Sequence, residues 1–361
     1  METRKNRGMM KDLRNYSLLR HNTFGIEGCC RRFVAFDSVE ELRQMVSELT
    51  ADDQPLMILG GGSNLLLTRD FEGTVLHSEI LGMELVGDDA STEGLFTANA
   101  PKSESEVLLR CGSGECWDDV VDYCVKNGWY GAENLSLIPG DVGASAVQNI
   151  GAYGVEAKDI IYKVEAVSLE TGEFRVFDVT ECDYGYRHSI FKEPSHRMWM
   201  VTHVVYRLSR QFVPHLDYGN IRGELERKGI SEPTAAQLRQ CIIDIRRAKL
   251  PDPEVTGNAG SFFMNPVVSR EKYEQLAAEY PQMPHYTVSA TQEKIPAGWM
   301  IDQCGWKGRS LGRAGVHENQ ALVLVNRGGA EGHEVLHLCQ TIIHDVENRF
   351  GITLHPEVNI V

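Results

Sequence analysis

Two glycine-rich stretches carry most of the chemistry that can be read in this chain. Residues 138 to 154 run Ile-Pro-Gly-Asp-Val-Gly-Ala-Ser-Ala-Val-Gln-Asn-Ile-Gly-Ala-Tyr-Gly, so that Gly140, Gly143, Gly151 and Gly154 are interleaved with Ala144, Ser145, Ala146 and Ala152. Where side chains are missing, backbone N–H groups can approach a ligand. Successive exposed amides form a concavity suited to an anion such as a pyrophosphate. The other stretch, Gly60-Gly61-Gly62-Ser63-Asn64, follows the apolar run Leu56-Met57-Ile58-Leu59, a strand running into a glycine turn. Two such turns in one chain suggest a phosphate-bearing cofactor held by main chain. Neither has the Gly-x-Gly-x-x-Gly or Gly-x-x-x-x-Gly-Lys-Ser/Thr spacing, so a standard Rossmann or P-loop site is not expected. Gly143-Ala144-Ser145-Ala146-Val147 lacks the last glycine of a nucleophile elbow, which argues against a serine hydrolase.

Other segments hold reactive residue types. His333-Glu334-Val335-Leu336-His337 matches a zinc-protease pattern, two histidines four apart on one helix face. However, Val335, Leu338, Ile342, Val346 and Phe350 give the same helix a complete packing stripe, and no extended motif places a third ligand. Tyr184 to Lys192 sets Arg187 between aromatics in a loop. Gly257 to Pro266 sets Ser261 and Asn265 in a turn-rich stretch, and His355-Pro356-Glu357-Val358-Asn359 places a carboxylate close to the last residue.

The elements that must position these residues follow from periodicity. Ser38-Val39-Glu40-Glu41 is a capping box, and Val39, Leu42, Met45, Val46 and Leu49 continue it at helical spacing. A strand is expected near Thr74 to His77. A second helix spans 116 to 127, with Gly128 as its stop. Alternation from Val164 to Leu169, a turn at Thr171-Gly172 and Phe174 to Phe177 form a hairpin, and Met198 to Leu208 is a further strand. Beyond 210 the chain changes character, with helices from Thr234 to Arg247, near 270 to 279, and near 331 to 350. Strands and helices without strict alternation predict α+β. The expected division is a loose polar arm over 1–15, a domain over 16–210 with parts at about 16–80 and 81–210, and a second domain over 211–361.

Composition bounds the function. Apolar residues make up 42% and charged residues 24%, as in an ordinary globular protein. A formal charge of -15 argues against nucleic acid or an anionic membrane as partner. Nine cysteines without a Cys-x-x-Cys predict free thiols in a reducing cytosol. The charged start, Met1-Glu2-Thr3-Arg4-Lys5, leads into no signal-peptide core, and no apolar run approaches bilayer length, so a cytoplasmic location is expected.

Taken together, the segments resemble the UDP-N-acetylenolpyruvoylglucosamine reductases, flavoenzymes that complete UDP-N-acetylmuramate in peptidoglycan synthesis. The resemblance runs through Asn22 to Gly25, Gly60 to Asn64, Leu137 to Gly154, Gly185 to Lys192, Lys249 to Pro253, Gly257 to Pro266, Ala297 to Cys304 and Pro356 to Val358, in the family's order and over nearly the whole chain. It implies an FAD-binding fold of the vanillyl-alcohol oxidase and p-cresol methylhydroxylase type, made of two subdomains. A C-terminal α+β substrate domain would follow, with the last strand returning to the flavin domain. By resemblance, FAD is held by Gly60, Gly61, Gly62, Ser63 and Asn64 and by Gly140, Gly143, Ala144, Ser145, Gln148, Asn149, Gly151, Ala152, Tyr153 and Gly154. NADPH reduces the flavin, which passes a hydride to the vinyl C3 of the substrate. The resemblance further implies that Arg187 and Glu357 stabilise the enolate-like charge and that Ser261 protonates C2. Arg246, Lys249, Asn265, Tyr286 and Gln320 bind the UDP-sugar, and Tyr218 closes on its diphosphate, which places the chain in the longer form of the family. Gly61 departs from the glutamate common there, a change that should leave the cradle intact. Glu357 lies four residues from the end and needs a paired strand to hold it. No metal is expected, and the enzyme is expected to act as a monomer. The alternatives are another flavin oxidoreductase of the same fold and a zinc hydrolase using His333 and His337.

Overall fold

Ser38 starts the first helix as its capping box predicts: its side chain accepts from the amide of Glu41 at 3.3 Å, opening α1 (Val39–Glu48) with two acidic residues in the first turn. Leu42 and Met45 are buried on that helix against Val34, Phe36 and Leu76. The computed structural model describes residues 10–86 and 105–361. These residues form two compact units, each assembled from separate stretches. The first takes the chain up to Tyr16, then Arg31–Gly61 and Glu72–Arg246; the second takes Ser17–Cys30, Gly62–Phe71 and Arg247–Val361.

The first unit contains two sheets. β1 (Lys11–Ser17), β2 (Cys29–Phe36), β3 (Leu56–Leu59) and β5 (Phe71–Ser78) are ordered β1–β2–β5–β3, with β3 and β5 parallel; β4 (Leu65–Leu66) belongs to the second unit. The other sheet is antiparallel and follows the predicted hairpin. Its strands are β6 (Met83–Leu85), β7 (Glu106–Gly112), β10 (Ile161–Ser168), β11 (Phe174–Asp178) and β12 (Trp199–Ser209), ordered β11–β10–β12–β7–β6. All eight residues of β10 are buried, because both of its faces are covered. α2 (Trp117–Asn127) buries Trp117, Val120, Val121 and Cys124, and Gly128 ends it at φ 71. The glycine loop contains α3 (Val142–Gln148), which was not anticipated, and a small hairpin of β8 (Gly151–Ala152) and β9 (Val155–Glu156).

Residues 211–246 also belong to this unit, so the chain changes unit at 246/247 and not near 210. The shift in composition marks a helical pair, α4 (Ile221–Arg227) and α5 (Ala235–Lys249). These bury Ile221, Leu225, Leu238, Ile242 and Ile245 around Leu216. Arg239 of α5 forks onto Asp118 of α2 at 2.7 and 3.0 Å, tying the pair down. The expected polar arm is likewise a strand from Lys11 onward; residues 1–9 lie outside the described residues.

The second unit is built on β13 (Asn258–Ser261), β17 (Ser310–Leu311), β18 (Ala314–Val316) and β19 (Val323–Asn326), ordered β13–β19–β18–β17. A smaller sheet joins β14 (Val267–Ser269), β15 (Tyr286–Ser289) and β16 (Gln292–Lys294), ordered β14–β16–β15. α6 (Arg270–Glu279) and α7 (Ala297–Gln303) accompany them. α8 (Gly332–Phe350) buries the predicted stripe of Val335, Leu338, Ile342, Val346 and Phe350, and stops at Gly351 with φ 62. β20 (Asn359–Ile360) pairs in parallel with β4, and both strands belong to the second unit.

Candidate active site

In the first unit the two glycine stretches converge. β3 runs parallel to β5 through Leu59 opposite His77 and delivers Gly60 and Gly61 beyond its end. A Cβ on Gly61 would stand 3.1 Å from Cα of Gly140, and one on Gly60 3.5 Å from Cβ of Ala144. At Gly61 glycine therefore lets main chain face main chain, whereas Gly60 stands in ordinary contact with the Ala144 side chain. Gly140 has φ 115, and the amides of Gly61 and Ala144 reach no acceptor among the described residues. α3 is fixed from behind. Val142 and Gly143 donate their amides to the carbonyls of Glu115 and Ser113, both at 2.9 Å. The buried Ser145 hydroxyl is shared between Val142 O and the Tyr206 hydroxyl, each at 2.7 Å. Ser145 thus serves the core with its side chain, and its main chain is engaged as well: the amide donates to Asp141 O at 3.0 Å and the carbonyl accepts from the Ile150 amide at 3.2 Å. Gln148 accepts from Lys192 Nζ at 3.1 Å.

The latter half of the loop organises cations. Asn149, fully buried at φ 44, donates to Gly185 O at 2.8 Å and to Glu156 at 3.1 Å, locking a turn in which Gly185 and His188 exchange amide bonds. Arg187 occupies that turn at φ 54, a left-handed conformation that costs energy for a residue with a side chain. Its guanidinium donates to Gly151 O at 2.8 Å, and a Cβ on Gly151 would fall 3.0 Å from Nη1. Ala152 and Val155 flank a two-residue turn, Tyr153 at φ 50 and Gly154 at φ 81, the pattern of a type I′ hairpin. Gly154 leaves room for Tyr218, whose Cβ would lie 3.2 Å from an added methyl. Arg246 on α5 donates to Leu137 O at 3.2 Å. Burial pushes its guanidinium below the usual value, Tyr153 and Asp118 pull it back, and the charge of Arg187 adds to the depression. The charges of Arg187 and Arg246 thus act on one another.

The second unit gathers its own predicted residues. Gly62 continues the first glycine turn at φ 64, and Asn64 Nδ2 donates to Glu357 O at 3.2 Å. The Glu357 amide donates to Phe262 O at 2.8 Å, and Phe263 bridges Pro356, so Glu357 is laid beside the strand that ends at Ser261. The required pinning is present: β20 pairs with β4, and Val361 O accepts from the Thr68 hydroxyl at 2.7 Å. Ser261 is exposed and Glu357 half-buried. Asn265 Oδ1 accepts the Ala297 amide at 2.9 Å, starting α7. Gln320 Oε1 lies 3.2 Å from the Cβ position of Gly298. Tyr286 is half exposed with Lys294 Nζ 6.0 Å from its ring centre, and Lys249 is exposed at the end of α5. Ser63 lies in the turn between Gly62 and Asn64.

The histidine pair is not built for metal. His333 is exposed, Glu334 is taken by Arg313 at 2.9 Å, and among the described residues no cluster of three metal-ligating side chains occurs.

Residues 252–361 match the family model described as UDP-N-acetylenolpyruvoylglucosamine reductase, C-terminal domain, and residues 30–178 match the FAD binding domain model. A UDP-N-acetylenolpyruvoylglucosamine reductase of Bacteroides fragilis (strain YCH46) is 54% identical over 96% of this chain and 99% of its own length. The chain belongs to the UDP-N-acetylenolpyruvoylglucosamine reductase family. A Porphyromonas gingivalis (strain W83) reductase is 46% identical over 96% of this chain and 98% of its own length. The crystal structure of the Thermus caldophilus reductase shares the fold, with a TM-score of 0.63 and 22% identity over 98% of both chains. Membership of this reductase family makes the chain an FAD-dependent oxidoreductase with an α+β fold.

The first unit fits such a cofactor. Gly60, Gly61 and Gly140 form a cradle that a single Cβ would fill, and amides in it still lack acceptors. One residue escaped the sequence reading: the Asp141 carboxylate lies against Gly60 and Gly61. The available signal was an acid inside a loop already read as an anion cradle.

Proposed function

We propose that the chain reduces UDP-N-acetylenolpyruvoylglucosamine to UDP-N-acetylmuramate in peptidoglycan precursor synthesis, using NADPH and FAD. The observation that carries this reading is Arg187, held at φ 54 with one nitrogen on Gly151 O and its charge felt by Arg246. FAD, when bound, supplies the hydride that adds to the vinyl C3 of the substrate. Negative charge then grows at C2 and in the adjoining carboxylate. Arg187 meets that charge with a fork suited to a carboxylate, and because its backbone is fixed beforehand it needs no reorganisation during the reaction. Ser261 gives its proton to C2, and Glu357 steadies the developing charge in protonated form or through another group. Arg246 and Lys249 neutralise the substrate's phosphates, and Tyr218, stacked over Gly154, closes on them. Asn265, Tyr286 and Gln320 complete the sugar-nucleotide contacts.

Gly60 to Asn64 and Gly140 to Gly154 would hold FAD through main chain. We read the enzyme as a cytoplasmic monomer. Nine free cysteines support the compartment, and among the described residues no helix is long and apolar enough to cross a membrane. The test is anaerobic. NADPH should bleach the flavin band of the holoenzyme, and the enolpyruvyl sugar nucleotide should restore it with formation of UDP-N-acetylmuramate. A reduced flavin that ignores this substrate would refute the reading.

A further inference from the structure

The reaction leaves one charged side chain in the cradle unexplained. Asp141 stands at the start of α3, yet its carboxylate caps none of that helix's amides. Among the described residues it has no hydrogen-bond or ion-pair partner. It is turned to the glycine turn instead: its Oδ1 and Oδ2 lie 3.1 and 3.4 Å from the Cβ positions of Gly61 and Gly60. Glycine at both places gives the carboxyl its room.

The groups around it are few. From β5 comes His77, whose Nδ1 sits 2.9 Å from Leu59 O and so donates to that carbonyl. From the β7–α2 connection come Glu115, occupied by the Gly82 amide at 2.6 Å, and Cys116, which bridges Asp141 through main chain. α3 carries no charged residue, and the glycine turn carries none. No cation of fixed charge therefore opposes Asp141. Ionised, it would set a negative charge against any phosphate in the cradle; protonated, it becomes a donor. Burial pushes it up to about 6, with His77 pulling the other way.

We propose that Asp141 takes part in FAD binding as a protonated carboxyl that donates to a diphosphate oxygen, so that cofactor affinity falls as pH rises. This rests on the flavoenzyme reading above. If only the protonated form binds, the apparent Kd scales as one plus the ratio of ionised to protonated Asp141. With the group at about 6, the Kd rises roughly 25-fold between pH 5.5 and 7.5.

The experiment is a dilution series of holoenzyme at several pH values, with released FAD read from recovery of flavin fluorescence. Wild-type enzyme should show the rise of roughly 25-fold, on the same linkage. Asp141→Asn and Asp141→Ser keep a donor without a charge, so both should bind tightly with a nearly flat profile. His77→Asn should retain the wild-type slope. Equal slopes in wild type and Asp141→Asn, a slope lost in His77→Asn, or a flat wild-type profile would each overturn the role of Asp141 while leaving the flavoenzyme reading intact. A wild-type chain that binds no FAD at any pH would overturn both.

Discussion

Placing a methyl group on Gly62 tests how the first glycine turn is built. At φ 64, a Cβ there would lie 1.9 Å from the carbonyl oxygen of His21 and 2.9 Å from Cα of Asn22. That neighbour has nowhere to retreat. The buried Asn22 side chain donates to Leu18 O and Ile26 O at 2.8 and 2.9 Å and accepts from the Ile26 amide at 3.0 Å. Thr23 N, the next amide, already donates to Gly62 O at 3.1 Å. The left-handed backbone alone costs an alanine about 1 kcal/mol, and forced displacement of a clamped carbonyl adds about 2 kcal/mol more. Gly62→Ala should therefore lose about 3 kcal/mol, which at 2–4 °C per kcal/mol lowers the melting midpoint by roughly 6–12 °C. Gly60→Ala is the control. Its Cβ meets only ordinary contacts at 3.4 and 3.5 Å, so it should cost under about 1 kcal/mol of stability while its methyl crowds the cradle and weakens FAD. Differential scanning calorimetry paired with FAD titration separates the two effects. If Gly62→Ala melted within about 2 °C of wild type, the steric argument for this turn would be wrong.

Three further outcomes follow from the same geometry. Ser261→Ala should be reduced normally by NADPH but reoxidise with substrate about 10²–10⁴-fold more slowly, as stopped-flow absorbance would record. Arg187→Lys keeps the charge but loses the fork that spans Gly151 O and an incoming carboxylate; its turnover should fall about 10²–10³-fold with little change in NADPH reduction. Glu165, fully buried, is held at about 2 despite burial, because Arg110 (2.8 and 2.7 Å) and His203 donate to it. A depressed carboxylate contributes stability that is complete above its unfolded value of about 4.3 and is lost as pH falls toward its folded one. Arg110→Met should therefore cost about 3–5 kcal/mol at neutral pH; burial then pushes Glu165 up, so the deficit relative to wild type should shrink as pH falls, which thermal melts followed by near-ultraviolet circular dichroism at about pH 7 and at about pH 4 would show.

Much of the fold was legible because its signals are local. Ser38 and Glu41 and the stripe on α8 are set by neighbours within one or two turns, and each produced the expected helix; at the expected start of α5, Thr234 accepts from the Gln237 amide at 3.3 Å. α3 was hidden because Gly143 is small against Ser113, Ala144 is small where it faces Gly60, and small residues read as loop. The make-up of the two compact units depends on contacts of another kind. Asn22, Thr23 and Phe24 are bound to Gly62, Asn258 and Asn326, partners up to 302 residues away, and no window along the chain contains such a pairing. In the site, residue types identified Arg187, Ser261 and Glu357 only through family resemblance. That Gly151 makes room for an arginine and Gly154 for a tyrosine became visible only in three dimensions.

The scattered origin of the second unit bears on how the protein is made. Phe24 and Ile26 are buried in the finished molecule, yet most of the unit they belong to is supplied by residues from Arg247 onward. A ribosome adding 5–20 residues per second emits these two apolar side chains many seconds before their partners exist. During that interval the nascent chain displays apolar surface of the kind that promotes aggregation. Assembly of this unit is a late, long-range closure, and so inherently slower than that of the hairpins and helices that precede it.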